Sequence, residues 1–211
     1  MDIDAFILIG GQSLRFGSPK AFAELDGKTL AERAAQTVET ALSPRSIRFV
    51  AGGESQFASE LIFKLGRPVV ADLKPGFGAW SGLHTALAYS ASNWTFVLAC
   101  DLPFVTAEFI DKLAGLTVED VDAVVPRQMD GRLQSLCAFY RRSVILSDVE
   151  SRLSRSRQLP GITELFSASK TRIVEPVEYS DLHGSGKFFV NVNYMGDLRS
   201  EIASNCLGVA Q

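Results

Sequence analysis

Short apolar runs alternate with amphipathic stretches along most of the chain. The runs at residues 4–9, 47–51, 68–71, 94–99, 122–126, 137–140, 171–174 and 188–192 have the length and side-chain content of strands. Between them, apolar positions at helical spacing predict helices over residues 29–42, 55–64, 81–90, 107–116, 142–153 and 196–204. Strand and helix in turn is the pattern of crossover connections in a mainly parallel sheet, so the expected class is α/β, a Rossmann-like three-layer sandwich. The Asp130-Gly131 pair within residues 128–132 predicts a hairpin, which makes the sheet mixed. Residues 151–160 and 180–187 read as polar loops too short to link domains, so residues 1–211 are expected to form a single domain.

Composition narrows the chemistry. The chain has 211 residues, 46% of them hydrophobic, which is enough to bury a sizeable core. Its 21 basic and 24 acidic residues leave a net charge of -3, so there is no broad basic field for nucleic acid and any phosphate must be met locally. Cys100, Cys137 and Cys206 lack metal-ligand spacing, and reduced thiols in the cytoplasm are expected. The apolar residues 3–9 are too few to span a bilayer and lead into glycines, so neither a membrane role nor a targeting signal is expected.

The most informative stretch is IGGQSLRFGSPK, residues 9–20, between the first strand and a helical segment. Its glycine spacing fits neither the Walker loop nor the G-x-G-x-x-G fingerprint. Gly10 and Gly11 let the backbone approach a ligand closely, so successive N–H groups can converge on a phosphate, and Arg15 and Lys20 add full charges. Taken alone, the loop also reads as an ordinary glycine-rich turn with two solvated cations. Asp101 follows the apolar run 94–99, at the strand end where open α/β sheets bind ligands, and one carboxylate there suits Mg²⁺. The other reading of Asp101 is a turn residue. Asn191 and Asn193, two apart, would share one face of a strand, or cap the last helix. His84, His183 and the Arg152, Arg155, Arg157 run have no partners at ligand spacing and are left out of the site.

Five segments together resemble the molybdenum cofactor guanylyltransferases. LIGGQSLRFGSPKAFAELDGKTL (residues 8–30) is similar to that family's signature loop. Asp72 with Pro75, Gly76 and residues 78–83 resembles its Asp followed by G-P-L-A-G-L, and LACDLPFVT (98–106) its C-D-x-P segment. RLQSLCAFY (132–140) and FVNVNYMGDL (189–198) resemble its two later motifs. Pro19, Ala79-Trp80-Ser81, Ser135 and Tyr194-Met195-Gly196 depart from the pattern; Arg15 and Lys20 do not.

The resemblance implies a nucleotide-diphospho-sugar transferase type of fold and a Mg²⁺-dependent transfer of GMP from GTP to a phosphate of molybdopterin. It assigns nucleotide binding to Ile9, Gly10, Gly11, Ser13, Arg15, Lys20, Asp72 and Asp101, catalysis to Lys20, Arg15 and Asp101, the metal to Asp101, and the acceptor to Asn191 and Asn193. It also implies transient contact with cofactor-biosynthesis or molybdoenzyme-maturation proteins. Cytidylyl transfer to that pterin or to a sugar or alditol phosphate is the alternative within the class, and a noncatalytic nucleotide-binding paralogue is the alternative outside it. Gly10 favours guanine over cytosine, since cytidylyl relatives carry alanine there and a missing methyl leaves room for a purine edge.

Overall fold

The computed structural model describes residues 2–10, 20–52, 66–155 and 159–192. Gly11, Ser13, Arg15 and Asn193, and the helices expected at 55–64 and 196–204, lie outside the described residues.

A seven-stranded sheet forms the centre, in the order β5-β4-β1-β6-β8-β7-β9. Its strands are β1 (Ile3–Leu8), β4 (Ser46–Ala51), β5 (Val69–Ala71), β6 (Trp94–Ala99), β7 (Ala123–Pro126), β8 (Cys137–Arg141) and β9 (Thr171–Val174). β1 is flanked by β4 and β6, both parallel to it. β8 runs antiparallel to β6 and to β7, so β6 and β7 point the same way and only β8 is reversed. The Asp130-Gly131 turn makes that reversal: Gln128 N–H donates to Arg132 O (2.7 Å), and Gly131 takes a positive φ of 87°. The carboxyl ends of the other six strands therefore meet at one edge.

Both faces of the sheet are covered, which is why its central strands β1 and β6 read as nearly continuous apolar runs. Ile3, Ala5, Ile7, Phe96, Leu98, Cys137 and Phe139 pack on one side, against α1 (Leu30–Leu42) and α3 (Ala107–Ala114). Phe6, Leu8, Val97, Ala138 and Tyr140 pack on the other, with residues of α2 (Ala79–Tyr89) and α4 (Arg142–Arg155). The expected three layers are present. α1 starts at a capping box, with Glu32 N–H donating to Thr29 Oγ1 and Thr29 N–H to Glu32 Oε2. A small hairpin precedes it, β2 (Glu24–Leu25) with β3 (Lys28–Thr29), turning on Asp26 and Gly27 at φ 53° and 74°. The pattern of apolar positions did not predict it.

Two expectations are corrected. Residues 188–192 form no strand: Phe188 N–H donates to Ser185 O and Val190 N–H to Lys187 O, which makes turns. Phe188 and Phe189 instead join Phe109 and Tyr179 in an aromatic cluster, with ring centroids 4.7 to 6.4 Å apart. Residues 151–155, of which 154 and 155 are expected only in a loop, continue the helix expected at 142–153 as α4.

At the sheet's opposite edge, Asp4 is a buried carboxylate with a structural task. It accepts from Ser46 Oγ (2.5 Å), Ala91 N–H (2.7 Å) and Ser92 N–H (3.1 Å), tying β1 to β4 and to the turn before β6. Burial alone would raise its pKa, but Ser46 and these donors outweigh it and hold the group below its ordinary value.

Candidate active site

Backbone hydrogen bonds bring the sequence-predicted segments together at the carboxyl edge. Ile9 N–H donates to Val50 O (2.9 Å), Asp72 N–H to Ala51 O (3.1 Å) and Cys100 N–H to Leu8 O (3.1 Å). Val192 N–H donates to Asp101 O (3.1 Å), which sets the exposed Asn191 beside Asp101 although no strand forms there. Ile9, Gly10, Lys20, Asp72, Asp101 and Asn191 thus lie on segments of one sheet edge, separated by up to most of the chain.

At its centre, Lys20 Nζ stands 2.9 Å from Asp101 Oδ2. Lys20 opens a 3₁₀ turn, Lys20–Phe22, closed by Ala23 N–H donating to Lys20 O. Asp101 leaves β6 through a turn in which Leu102 N–H donates to Ala99 O (3.2 Å), and Pro103 follows. The side chains are 13% and 29% exposed, so the pair is partly withdrawn from water and open on the carboxylate's side. An ammonium and a carboxylate held this way can exchange each other for a polyanion and a cation. Cys100 takes no part as a nucleophile: burial, with Asp101 next to it, pushes its thiol up to about 12.

The residues fit a magnesium ion. Among the described residues no group of three or more His, Cys, Asp and Glu converges, so a closed all-protein metal cage is absent there. Mg²⁺ needs no such cage, because it commonly binds through one or two carboxylates, with phosphates and water completing its shell. Asp101, at the end of β6 and partly exposed, offers one such carboxylate.

Asp72 sits just beyond β5, and its Oδ1 is buried without a hydrogen-bond partner. Burial raises its pKa from 3.8 to about 6, against a lowering contact from the Thr85 hydroxyl of α2. An acceptor withdrawn from water and left unpaired suits a ligand's donor. The adjacent turn into α2 is held by Ser81, whose hydroxyl accepts from Phe77 N–H (3.1 Å) and donates to Lys74 O (2.6 Å). Because the folded pKa of Asp72 lies above the unfolded value, its contribution favours folding below pH ~4 and is lost as pH rises through about 6. Asp72→Asn is therefore expected to gain stability relative to the wild type across that window, by at most about 3 kcal/mol. Urea unfolding of both proteins on either side of the window checks this; parallel pH profiles would contradict it.

The space beside Gly10 has a different use from the one its sequence suggested. A Cβ added there would lie 2.2 Å from Gly52 N and 2.7 Å from Gly52 Cα. The missing methyl admits the backbone leaving β4, not a purine edge, and lets Gly10 lie directly against Gly52. Gly10→Ala forces two backbones apart, and a loss of about 1 to 3 kcal/mol is expected in thermal unfolding, with weaker nucleotide binding. Unchanged stability would show that the two segments separate freely.

The residues set aside behave as packing and surface groups. His84 is 4% exposed, with Nε2 3.7 Å from Glu150 Oε1 between α2 and α4, and burial and Lys74 lower its pKa. Arg152 pairs with Asp148 on α4 (3.1 Å), Arg155 and His183 are exposed, and Arg157 lies outside the described residues. Sequence reading did not single out Arg127 and Glu175, which meet at the ends of β7 and β9, with Arg127 Nε 3.1 Å from both Glu175 oxygens.

A mixed, mostly parallel sheet between two helical layers, with Gly10, a lysine and a carboxylate at its carboxyl edge, is the arrangement of a nucleotidyltransferase. The chain belongs to the MobA-like NTP transferase family, whose sequence profile, described as the MobA-like NTP transferase domain, matches residues 5–171. It is 36% identical over 138 residues to a probable molybdenum cofactor guanylyltransferase of Geobacillus sp., covering 64% of this chain and 68% of that protein. It is 28% identical to a molybdenum cofactor guanylyltransferase of Desulfosudis oleivorans, over 96% of this chain and 95% of the other. Among solved structures, the molybdopterin-guanine dinucleotide biosynthesis protein A of Archaeoglobus fulgidus superimposes with a TM-score of 0.75 at 26% identity, covering 96% and 99% of the two chains.

Proposed function

We propose that this protein transfers GMP from GTP to the terminal phosphate of molybdopterin and releases pyrophosphate. The observation that carries the reading is the Lys20–Asp101 pair at the end of β6, beside the start of the glycine loop. The named relatives, similar over nearly the whole chain, supply the substrates. In the step, an oxygen of the acceptor phosphate bonds to the α-phosphorus of GTP, and the bond from that phosphorus to the bridging oxygen of pyrophosphate breaks. Such transfers need alignment and charge stabilisation more than covalent help from protein.

Each residue then has a task. Ile9, Gly10, Gly11 and Ser13 shape the loop around the phosphates. Lys20 turns from Asp101 to the α-phosphate, and Arg15 holds the leaving pyrophosphate with its planar fork. Asp72 offers its unpartnered oxygen to a donor of the nucleotide. Asn191 and Asn193 hold the acceptor phosphate without adding negative charge. Asp101 binds Mg²⁺, which supplies the positive charge that two polyanions need to approach each other. Guanine preference rests on the relatives, since the Gly10 space is taken by Gly52. We read residues 1–211 as one such domain working in the cytoplasm, with transient contacts to molybdoenzyme-maturation proteins; no described helix is long and apolar enough to cross a membrane.

The test is pyrophosphate release from purified protein with Mg²⁺, molybdopterin and either GTP or CTP. Release with GTP well above that with CTP is expected. Preference for CTP would move the reading to cytidylyl transfer, and binding of nucleotide without release would make the protein a sensor or partner.

A further inference from the structure

The sheet order divides the active edge in two. The segments assigned to the nucleotide leave β1 and β5, on one side of Asp101, while β8, β7 and β9 continue on the other. Phe139 of β8 is paired with Phe96 on one side and Val124 on the other, so β6 and β7 are in step and Arg127 lies level with Ala99. Two strand spacings separate them, roughly 10 Å. Pro126 pairs with Val174, which sets Glu175 level with Arg127 on the next strand.

This corner is built with more order than a strand end requires. Arg127 N–H donates to Val174 O (2.9 Å), Arg127 Nε to both Glu175 oxygens (3.1 Å each) and Arg127 Nη1 to Gly131 O (2.9 Å). Arg127 O accepts from the Tyr179 hydroxyl (2.6 Å), and that ring belongs to the buried aromatic cluster. The guanidinium is thereby fixed in plane, yet its side chain is 33% exposed and that of Glu175 47%. Two residues further along each segment, Met129 and Val177 are exposed apolar side chains at 57% and 81%. A held planar donor, an acceptor beside it and apolar groups at the rim together suit a flat heterocycle with donors and acceptors on one edge.

We infer that Arg127 and Glu175 form the subsite for the pterin ring of the acceptor, roughly two strand spacings from the end of β6 that leads to Asp101. This rests on the proposed guanylyl transfer, which puts the reacting phosphate at Asp101. Whatever binds at Arg127 is then the acceptor's far end. A pterin carries a carbonyl beside ring N–H and amino groups: the guanidinium donates to the carbonyl, and Glu175 accepts from the nitrogen donors. Arg127 is a recognition residue, outside the bond-making step.

A phosphate-free pterin, 2-amino-4-oxopteridine, is the probe, followed by its fluorescence and by competition with molybdopterin in the pyrophosphate assay. The wild type should bind it; Arg127→Ala should weaken it, and raise the acceptor KM, about tenfold or more, with kcat and the GTP KM little changed. Arg127→Lys keeps the charge and much of the packing but loses the fork, so it should show the same loss even if the alanine variant fails to fold. A folded variant with wild-type pterin affinity and acceptor KM overturns the inference, as does a wild type that binds no pterin. A wild type that binds pterin but releases no pyrophosphate from GTP and molybdopterin overturns the functional reading instead.

Discussion

Lys20→Ala should lower pyrophosphate release by about 10² to 10³ while leaving the fold in place. A single donor aimed at developing phosphate charge typically carries that much of the rate. The lysine is well placed for it, its Nζ 2.9 Å from Asp101 at the edge where the segments after β1 and β6 meet. The effect belongs in kcat more than in GTP affinity, because charge migrates toward the leaving group only during the step. Stability should change little: the pair is open to solvent on the Asp101 side, and partly exposed ion pairs contribute on the order of 1 kcal/mol or less. Turnover and thermal unfolding measured on the same preparation separate the two. Near-normal turnover in the variant would remove Lys20 from the chemistry and leave the pair a local strut.

What the sequence could show depended on how local each cause was. β1 and β6 were legible because a strand covered on both faces reads as a nearly continuous apolar run, broken here only by the buried Asp4 and Thr95. The reversal at β8 was announced by Asp130-Gly131, yet nothing local specifies that β8 lies between β6 and β7. Residues 188–192 read as a strand-like apolar run, but Phe188 packs on Phe109 and Tyr179, from segments that only the fold brings near. Asn191 consequently reaches Asp101 through the Val192 backbone bond and not through strand alternation. Gly10 was visible as a glycine, but its reason is Gly52, which lies across a strand pair. Arg127 and Glu175 are 48 residues apart and become neighbours only through the β7–β9 register, so no motif marks them.

Asp101→Asn carries the second large effect and bears on whether the site is catalytic at all. Asparagine keeps the shape and one acceptor oxygen, but removes the charge that would anchor Mg²⁺ against the phosphates. Turnover should collapse by about 10² or more, and added Mg²⁺ should restore only part of it. Nucleotide binding without metal should survive, since Ile9, Gly10 and Asp72 lie on segments tied to β4 independently of the Asp101 carboxylate. A turn residue predicts otherwise: asparagine is as good there as aspartate, so stability and activity would both be unchanged. The Lys20 contact sharpens the comparison, because Asp101→Asn also removes the negative charge opposite the ammonium. If Asp101 merely restrained Lys20, the variant would bind nucleotide more tightly and show the wild-type Mg²⁺ dependence. If it holds the metal, the Mg²⁺ curve shifts to higher concentration and its plateau falls. Pyrophosphate release followed against Mg²⁺ for both proteins decides among these, and superimposable curves would end the metal assignment.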